Sequence, residues 1–294
     1  MPSRFSSLIR RLALLATLAL FPLAPLAVLA YALWVEPARV AVVRHDLRSV
    51  GAVLGGAPWR LVQVSDLHLQ GFGEREQALA RQVQGLGADV VVLTGDAIDR
   101  VEALPWLAGF VVALGGVPVL LVPGNWEHWS GVDFVALQAS LAGAGGQLVL
   151  NDRWYLSKQG RTLQLIGLDD FTAGVPDLRL LTSGVDADAV GMVDTVLVQH
   201  SPGFFDQVDV SQRMGENRFS VCLSGHTHGG QVALAGWAPW LPRGSGRFVA
   251  GFYDVPGCRL FVSRGVGMSV RACPEFCVNG ADIKYRRGGL RTRW

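Results

Sequence analysis

The chain has 294 residues, half of them hydrophobic and only 17% charged, with a mean hydropathy of +0.31. That length holds one large domain or two small ones with ample core, and the apolar balance asks for a membrane segment before anything else. A net charge of +2, from 26 basic and 24 acidic residues, argues against general nucleic-acid binding, which needs a strong basic patch.

Residues 1–11 form a basic N-terminal segment carrying Arg4, Arg10 and Arg11. From Leu12 to Val35 no charged residue occurs, and at ~1.5 Å per residue a helix of that length crosses a ~30 Å hydrocarbon core. Pro22 and Pro25 would kink such a helix, so a permanent anchor, a cleaved export signal and a bent segment in one leaflet all compete. The long apolar run and the unconvincing cleavage site favour the anchor, which implies a single-pass protein of the bacterial inner (cytoplasmic) membrane. Arg39, Arg44 and Arg48 follow the segment, so the charge bias leaves open the side on which the domain works.

Beyond the anchor, one catalytic domain is expected over residues 50–285, closed by a basic tail at 286–294. The tail reads as a solvated terminus or as a contact for anionic headgroups. Leu61–Val64 is a short apolar run that predicts a buried strand ending in polar residues. "EREQALARQVQGL" has helical spacing, "ADVVVLTGD" is a second buried strand, and "PWLAGFVVALGG" is a helix closed by glycines. "VPVLLVPGNWEHW" is a third strand with a polar end, and "DFVALQASLAGAGG" is another helix. "QLVLND", "WYLSKQ" and "TLQLIGLDD" alternate as consecutive strands; "TVLVQHSP", "FSVCLSGHTHGG" and "RLFVSRGVG" are later ones. Strands alternating with helices predict an α/β fold with parallel pairing and an antiparallel element in the second half.

Five of these strand ends carry side chains able to bind a metal or move a proton. The six histidines are His45, His68, His128, His200, His226 and His228, and all but His45 lie just past an apolar run, beside Asp66, Asp96, Asn125 or Glu127. In α/β sheets such ends gather at one edge. Imidazoles and carboxylates converging there would be costly without a compensating cation, and the mixture of nitrogen and oxygen donors fits two first-row metal ions. Such a pair can make water nucleophilic and clamp a phosphate. The four cysteines, Cys222, Cys258, Cys273 and Cys277, make no CxxC pair. Cys222 reads as a small buried hydrophobe, and Cys273 with Cys277 as a bridge or as free thiols.

Asp66–Leu67–His68, Gly95–Asp96, Gly124–Asn125, His200 and Gly225–His226–Thr227–His228 stand in an order that resembles the calcineurin-like metallophosphoesterase superfamily, over roughly residues 59 to 280. "GHTHGGQV", "GRFVAGFY", "LFVSRGVGMS" and "CPEF" look like its membrane-anchored bacterial branch, which includes hydrolases of UDP-2,3-diacylglucosamine. The resemblance implies a four-layer αββα sandwich behind an N-terminal transmembrane helix. It implies two divalent ions (Mn, Fe or Zn), with Asp66, His68 and His228 on one, Asn125, His200 and His226 on the other, and Asp96 bridging. The substrate would be a phosphate ester or pyrophosphate, with a lipid-linked nucleotide as the finer expectation. The superfamily usually has histidine directly after the asparagine; here Trp126 stands there. His128 is then the expected proton donor, with Glu127, or a leaving group such as a nucleoside phosphate that needs no strong acid, as alternatives, and Asn125 and Asp96 complete the expected catalytic set. The stretch Leu234–Gly244 reads as a packed loop or an apolar lip, with Arg243 and Arg247 in reach of a second phosphate. A membrane-tethered metal-binding protein with little catalysis is the competing reading.

Overall fold

The computed structural model describes residues 23, 40–47, 58–182, 193–215, 219–230, 238, 240–267 and the strand at 281–285. Its strands are β1 (Val43–Leu47), β2 (Trp59–Val64), β3 (Val90–Thr94), β4 (Val119–Val122), β5 (Gly146–Leu148), β6 (Asp152–Lys158), β7 (Arg161–Gly167), β8 (Val193–Val198), β9 (Val221–Ser224), β10 (Gly251–Val255), β11 (Cys258–Val262) and β12 (Ala281–Tyr285). The α-helices are α1 (Glu74–Gln84), α2 (Leu104–Ala113), α3 (Asn125–Trp129), α4 (Phe134–Gly143) and α5 (Val208–Met214).

Two six-stranded sheets result, in the orders β1-β12-β2-β3-β4-β5 and β10-β11-β9-β8-β7-β6. Strands β2 to β5 run parallel, as do β7, β8, β9 and β11; β12, β6 and β10 pair antiparallel to β2, β7 and β11. Parallel pairing puts the carboxyl ends of β2, β3 and β4 on one edge and those of β7, β8 and β9 on another.

The apolar strands are buried on both faces, as parallel strands are. Leu61, Val90, Val92, Leu120 and Val122 meet Leu163, Leu165, Val196, Val198 and Leu223 in a core between the sheets. On the outer face of the first sheet, Val62, Val91, Leu93 and Leu121 pack against Leu79 and Val83 of α1, Leu107 and Phe110 of α2, and Leu137 of α4. The outer face of the second sheet is covered by Leu181, Phe204, Phe205, Val210 and Met214. The layers are therefore helix, sheet, sheet and short helix. Among buried polar groups, Gln63 donates to both Thr94 Oγ1 and Ser224 O at 2.9 Å, tying the two sheets beside the edge that carries the site.

Two expectations need correction. The single-pass inner-membrane placement is not supported: among the described residues no helix is long and apolar enough to cross a membrane. The longest of them, α1, has 11 residues and so spans about half of a ~30 Å core. The Leu12–Val35 segment, Leu23 apart, lies outside the described residues. Cys222, read as a small buried hydrophobe, is buried but also forms a disulfide with Cys258 across 36 residues, because β9 and β11 are parallel neighbours with Cys222 opposite Leu260. Cys273, Cys277 and the 286–294 tail lie outside the described residues.

Candidate metal centre

Asp66 and His68 follow β2, Asp96 follows β3, and Asn125 follows β4 as the first residue of α3. His200 follows β8; His226 and His228 follow β9. Five of the seven non-glycine residues with positive φ among the described residues are Asp66, His68, Asp96, His226 and His228, with φ between 43° and 70°. Left-handed backbone at ordinary side chains costs free energy, and its concentration on the expected ligands marks a functional cluster. Glycine fills the closest approaches. A Cβ at Gly95, where φ is +84°, would strike the His200 ring, and one at Gly124 would strike Asp96 Oδ1.

The donor atoms gather in two buried groups, Asp66–His68–His228 and Asp96–His200–His226, each with its ligand atoms within 4.8 Å of one another. Asp96 faces both: Oδ2 lies 3.0 Å from His200 Nε2 and 3.9 Å from His68 Nε2. Its other oxygen accepts the Trp126 backbone N–H at 2.9 Å, which fixes the carboxylate. Asn125 Oδ1 lies 2.7 Å from His226 Nδ1 and joins the second group. The sheets also meet here through the backbone, since His226 N–H donates to Asp66 Oδ1 at 3.0 Å.

The outer nitrogens of three histidines are already taken by acceptors. His68 Nδ1 is 2.5 Å from Asp99 Oδ1, His200 Nδ1 is 2.7 Å from the Thr94 carbonyl, and His226 Nε2 is 2.8 Å from the Arg243 carbonyl. An acceptor on the outer nitrogen fixes the tautomer and turns the inner lone pair toward the centre. His68 Nε2 then sits 3.1 Å from His228 Nε2, and His226 Nδ1 faces the Asn125 oxygen. Lone pairs and carboxylate oxygens in such contact call for a proton or a cation between them.

The titration behaviour agrees. Burial lowers the His200 pKa, but the facing Asp96 charge overrides it and holds the group well above its ordinary value; Asp96 is correspondingly held below the usual carboxylate range. At His68 burial is outweighed by the Asp99 hydrogen bond, so the pKa is raised. His226 and His228 are lowered, by burial first. Four imidazoles, three carboxylates counting Asp99, and one amide thus fit a site for two metal ions, with outer hydrogen bonds of the kind that orient metal-binding histidines.

The expected proton donors lie elsewhere. His128 is in neither group: its Nε2 is 2.7 Å from Asp169 Oδ1 and its ring stands edge-on to Phe134. Glu127 is fully buried and accepts the backbone N–H groups of Gly124, Asp96, Ala97 and Ile98 at 2.7, 2.9, 2.7 and 3.2 Å. It staples the loops after β3 and β4, and burial together with the Asp96 charge pushes its pKa up to about 7. Arg247 pairs with Asp206 at 3.0 Å, and Arg243 serves the site through its carbonyl. Of Leu234–Gly244, residues 234–237 and 239 lie outside the described residues; Trp240 is 83% exposed.

The family model for calcineurin-like phosphoesterases matches residues 60–230, more than half of the chain. The chain belongs to the calcineurin-like phosphoesterase family. As a metallophosphoesterase it is a metal-dependent hydrolase of phosphate esters. It is 27% identical to the uncharacterised metallophosphoesterase YkuE of Bacillus subtilis (strain 168), over 81% of this chain and 82% of that one. It is also 27% identical to the phosphodiesterase YaeI of Escherichia coli (strain K12), over 81% of this chain and 85% of that one. Among solved structures, a Thermus thermophilus protein aligns with a TM-score of 0.48 at 12% identity, over 71% of this chain and 91% of that one. Sequence reasoning about this metallophosphoesterase missed Asp99, although "GDAID" puts it three residues past Asp96. It also missed buried Asp170, which accepts from Ser201 Oγ at 2.5 Å and from the N–H groups of Thr172 and Ala173.

Proposed function

We propose that the chain hydrolyses a phosphodiester or pyrophosphate bond at a centre of two divalent ions. In this reading Asp66, His68 and His228 hold one ion, Asn125, His200 and His226 hold the other, and Asp96 lies between. The observation that carries it is the pair of buried donor groups sharing Asp96. Ions bound there would generate a nucleophile from water at neutral pH and neutralise charge on the phosphoryl oxygens. The protein's own part is positioning. The Trp126 N–H fixes one Asp96 oxygen so that the other faces the donors, and Asp99, Thr94 and Arg243 aim the imidazoles. Asn125 is the neutral donor whose amide can face a phosphoryl oxygen while its helix is stapled by Glu127. We assign His128 to anchoring the end of α3 on Asp169.

The diester preference is supported by the activity in the name of the Escherichia coli relative. UDP-2,3-diacylglucosamine is the lipid-bearing pyrophosphate that the bacterial-branch resemblance suggests. The test is a screen of p-nitrophenyl phosphate, bis-p-nitrophenyl phosphate and UDP-linked pyrophosphates with Mn²⁺, Fe²⁺ and Zn²⁺. Turnover on at least one ester, abolished by chelation and restored by metal, is expected. Turnover that survives chelation would sink the proposal. Metal bound without turnover on any ester would instead favour the competing reading, a metal-binding protein, for which Trp126 in place of histidine is the motivating observation.

A further inference from the structure

The residue after Asn125 sits against the donor groups and is an indole. The Trp126 backbone N–H donates to Asp96 Oδ1, and the Trp126 ring stands perpendicular to that of His68 with centroids 5.9 Å apart. One turn further along α3, the Trp129 ring packs at 72° against Trp126 with centroids 5.6 Å apart, and Trp129 is 58% exposed. An aromatic path therefore leads from an expected metal ligand to the surface. An indole N–H donates a hydrogen bond but is no acid.

Among the described residues, Asp99, Asp170, Glu127 and His128 each have partners within the protein. Asp99 accepts from His68 and Gln70, and Asp170 from Ser201, Thr172 and Ala173. Glu127 is filled by four backbone N–H groups, and His128 is held by Asp169. At the position after Asn125, where the superfamily resemblance leads one to expect a histidine, this chain presents an edge-on pair of indoles.

Resting on the phosphoesterase reading above, we propose that Trp126 and Trp129 form a specificity platform for the departing group. It favours phosphoesters whose leaving group is planar and aromatic and departs as a stable anion. In the hydrolysis the water oxygen forms the new bond to phosphorus. The bond from phosphorus to the leaving oxygen breaks, and the electron pair goes with that oxygen. The anion leaves unprotonated and the proton lost by water passes to bulk solvent. A ring attached to the leaving oxygen can stack on one of the two indoles and meet the other edge-on, since they stand at 72° to each other. Such stacking tolerates any flat π-face.

The experiment uses the Mn²⁺-loaded full chain and a series of methyl phosphodiesters. Their leaving groups run from p-nitrophenol through phenol to simple alcohols, with an aryl and a haloalkyl leaving group of matched acidity. Wild type is expected to lose kcat/KM steeply as the leaving group becomes more basic. Trp126→His is expected to flatten that slope, by about tenfold or more at the basic end, because a positioned acid contributes about 10²–10⁴-fold. Trp126→Phe keeps a ring without adding an acid and should keep the wild-type slope. Trp129→Ala should lower the aryl-to-haloalkyl ratio by about tenfold. A flat wild-type slope, or an aryl-to-haloalkyl ratio that Trp129→Ala leaves where it was, overturns the platform while the phosphoesterase reading stands. Absence of metal-dependent turnover with every ester overturns that reading itself, and the platform with it.

Discussion

In the group of Asp66, His68 and His228, the outer nitrogen of His68 is held by a carboxylate, Asp99. In the group of Asp96, His200 and His226, the outer nitrogens are held by main-chain carbonyls, those of Thr94 and Arg243. A carboxylate makes the imidazole a stronger donor and adds a negative charge next to it. It can also be removed by one side-chain change. A carbonyl cannot, because it belongs to the main chain: Thr94 ends β3, and Arg243 lies in the loop before β10. The first group is tuned by a side chain, and the second is written into the backbone.

The change that breaks the contrast altogether is Asp96→Ala, since that carboxylate faces both groups. It should cost about 10³-fold in turnover, the several kcal/mol of charge stabilisation that a metal pair supplies, and should weaken both ions together. Steady-state kinetics and metal titration read the two effects. Loss of one ion alone would show that Asp96 belongs to a single group.

Asp99→Asn sharpens the contrast. It should cost about 10- to 100-fold in affinity at the first group and leave the second near its original affinity. A calorimetric titration should change from two tight ions to one tight and one weak. Equal weakening of both would contradict the asymmetry.

Glu127→Gln acts on both groups through the loops that carry them. An amide facing N–H donors leaves buried backbone groups unsatisfied, at about 1–3 kcal/mol each. Thermal unfolding should fall by several degrees. An unchanged midpoint would mean that the staple is dispensable.

The smallest effect is expected at His128→Gln. The hydrogen bond to Asp169 raises the His128 pKa over the opposing effect of burial, while burial at Asp169 is outweighed by the same bond and its pKa is lowered. The histidine's stabilising contribution is complete below its unfolded value of 6.5 and is lost as pH rises through the raised folded value. The aspartate's is present above 3.8 and is lost as pH falls through the lowered one. The wild-type advantage should therefore be largest between those two pH values and shrink above neutrality. With both groups partly exposed, it should amount to no more than about 1 kcal/mol. A gap that widens with rising pH would contradict the assignment.

The sequence made the strand ends legible because each is an apolar run followed at once by polar residues. That pattern put Asp66, His68, Asp96, Asn125, His200, His226 and His228 in one place. Asp99, Asp169 and the Arg243 carbonyl were not legible in that way. They act from loops, through contacts set by backbone angles that residue type does not encode. Glu127 and His128 stand apart from the donor groups because α3 begins at Asn125: a helix turns successive side chains to different sides, whereas a strand end had been expected. The disulfide escaped for a related reason, since 36 residues separate two cysteines that only the sheet order makes neighbours.

Metal analysis of the folded, purified full chain after equilibration with Mn²⁺ and removal of free ion tests the account most directly. Two bound ions per chain are expected, read alongside a circular dichroism spectrum that shows the protein folded. A folded sample that keeps no divalent ion would contradict it.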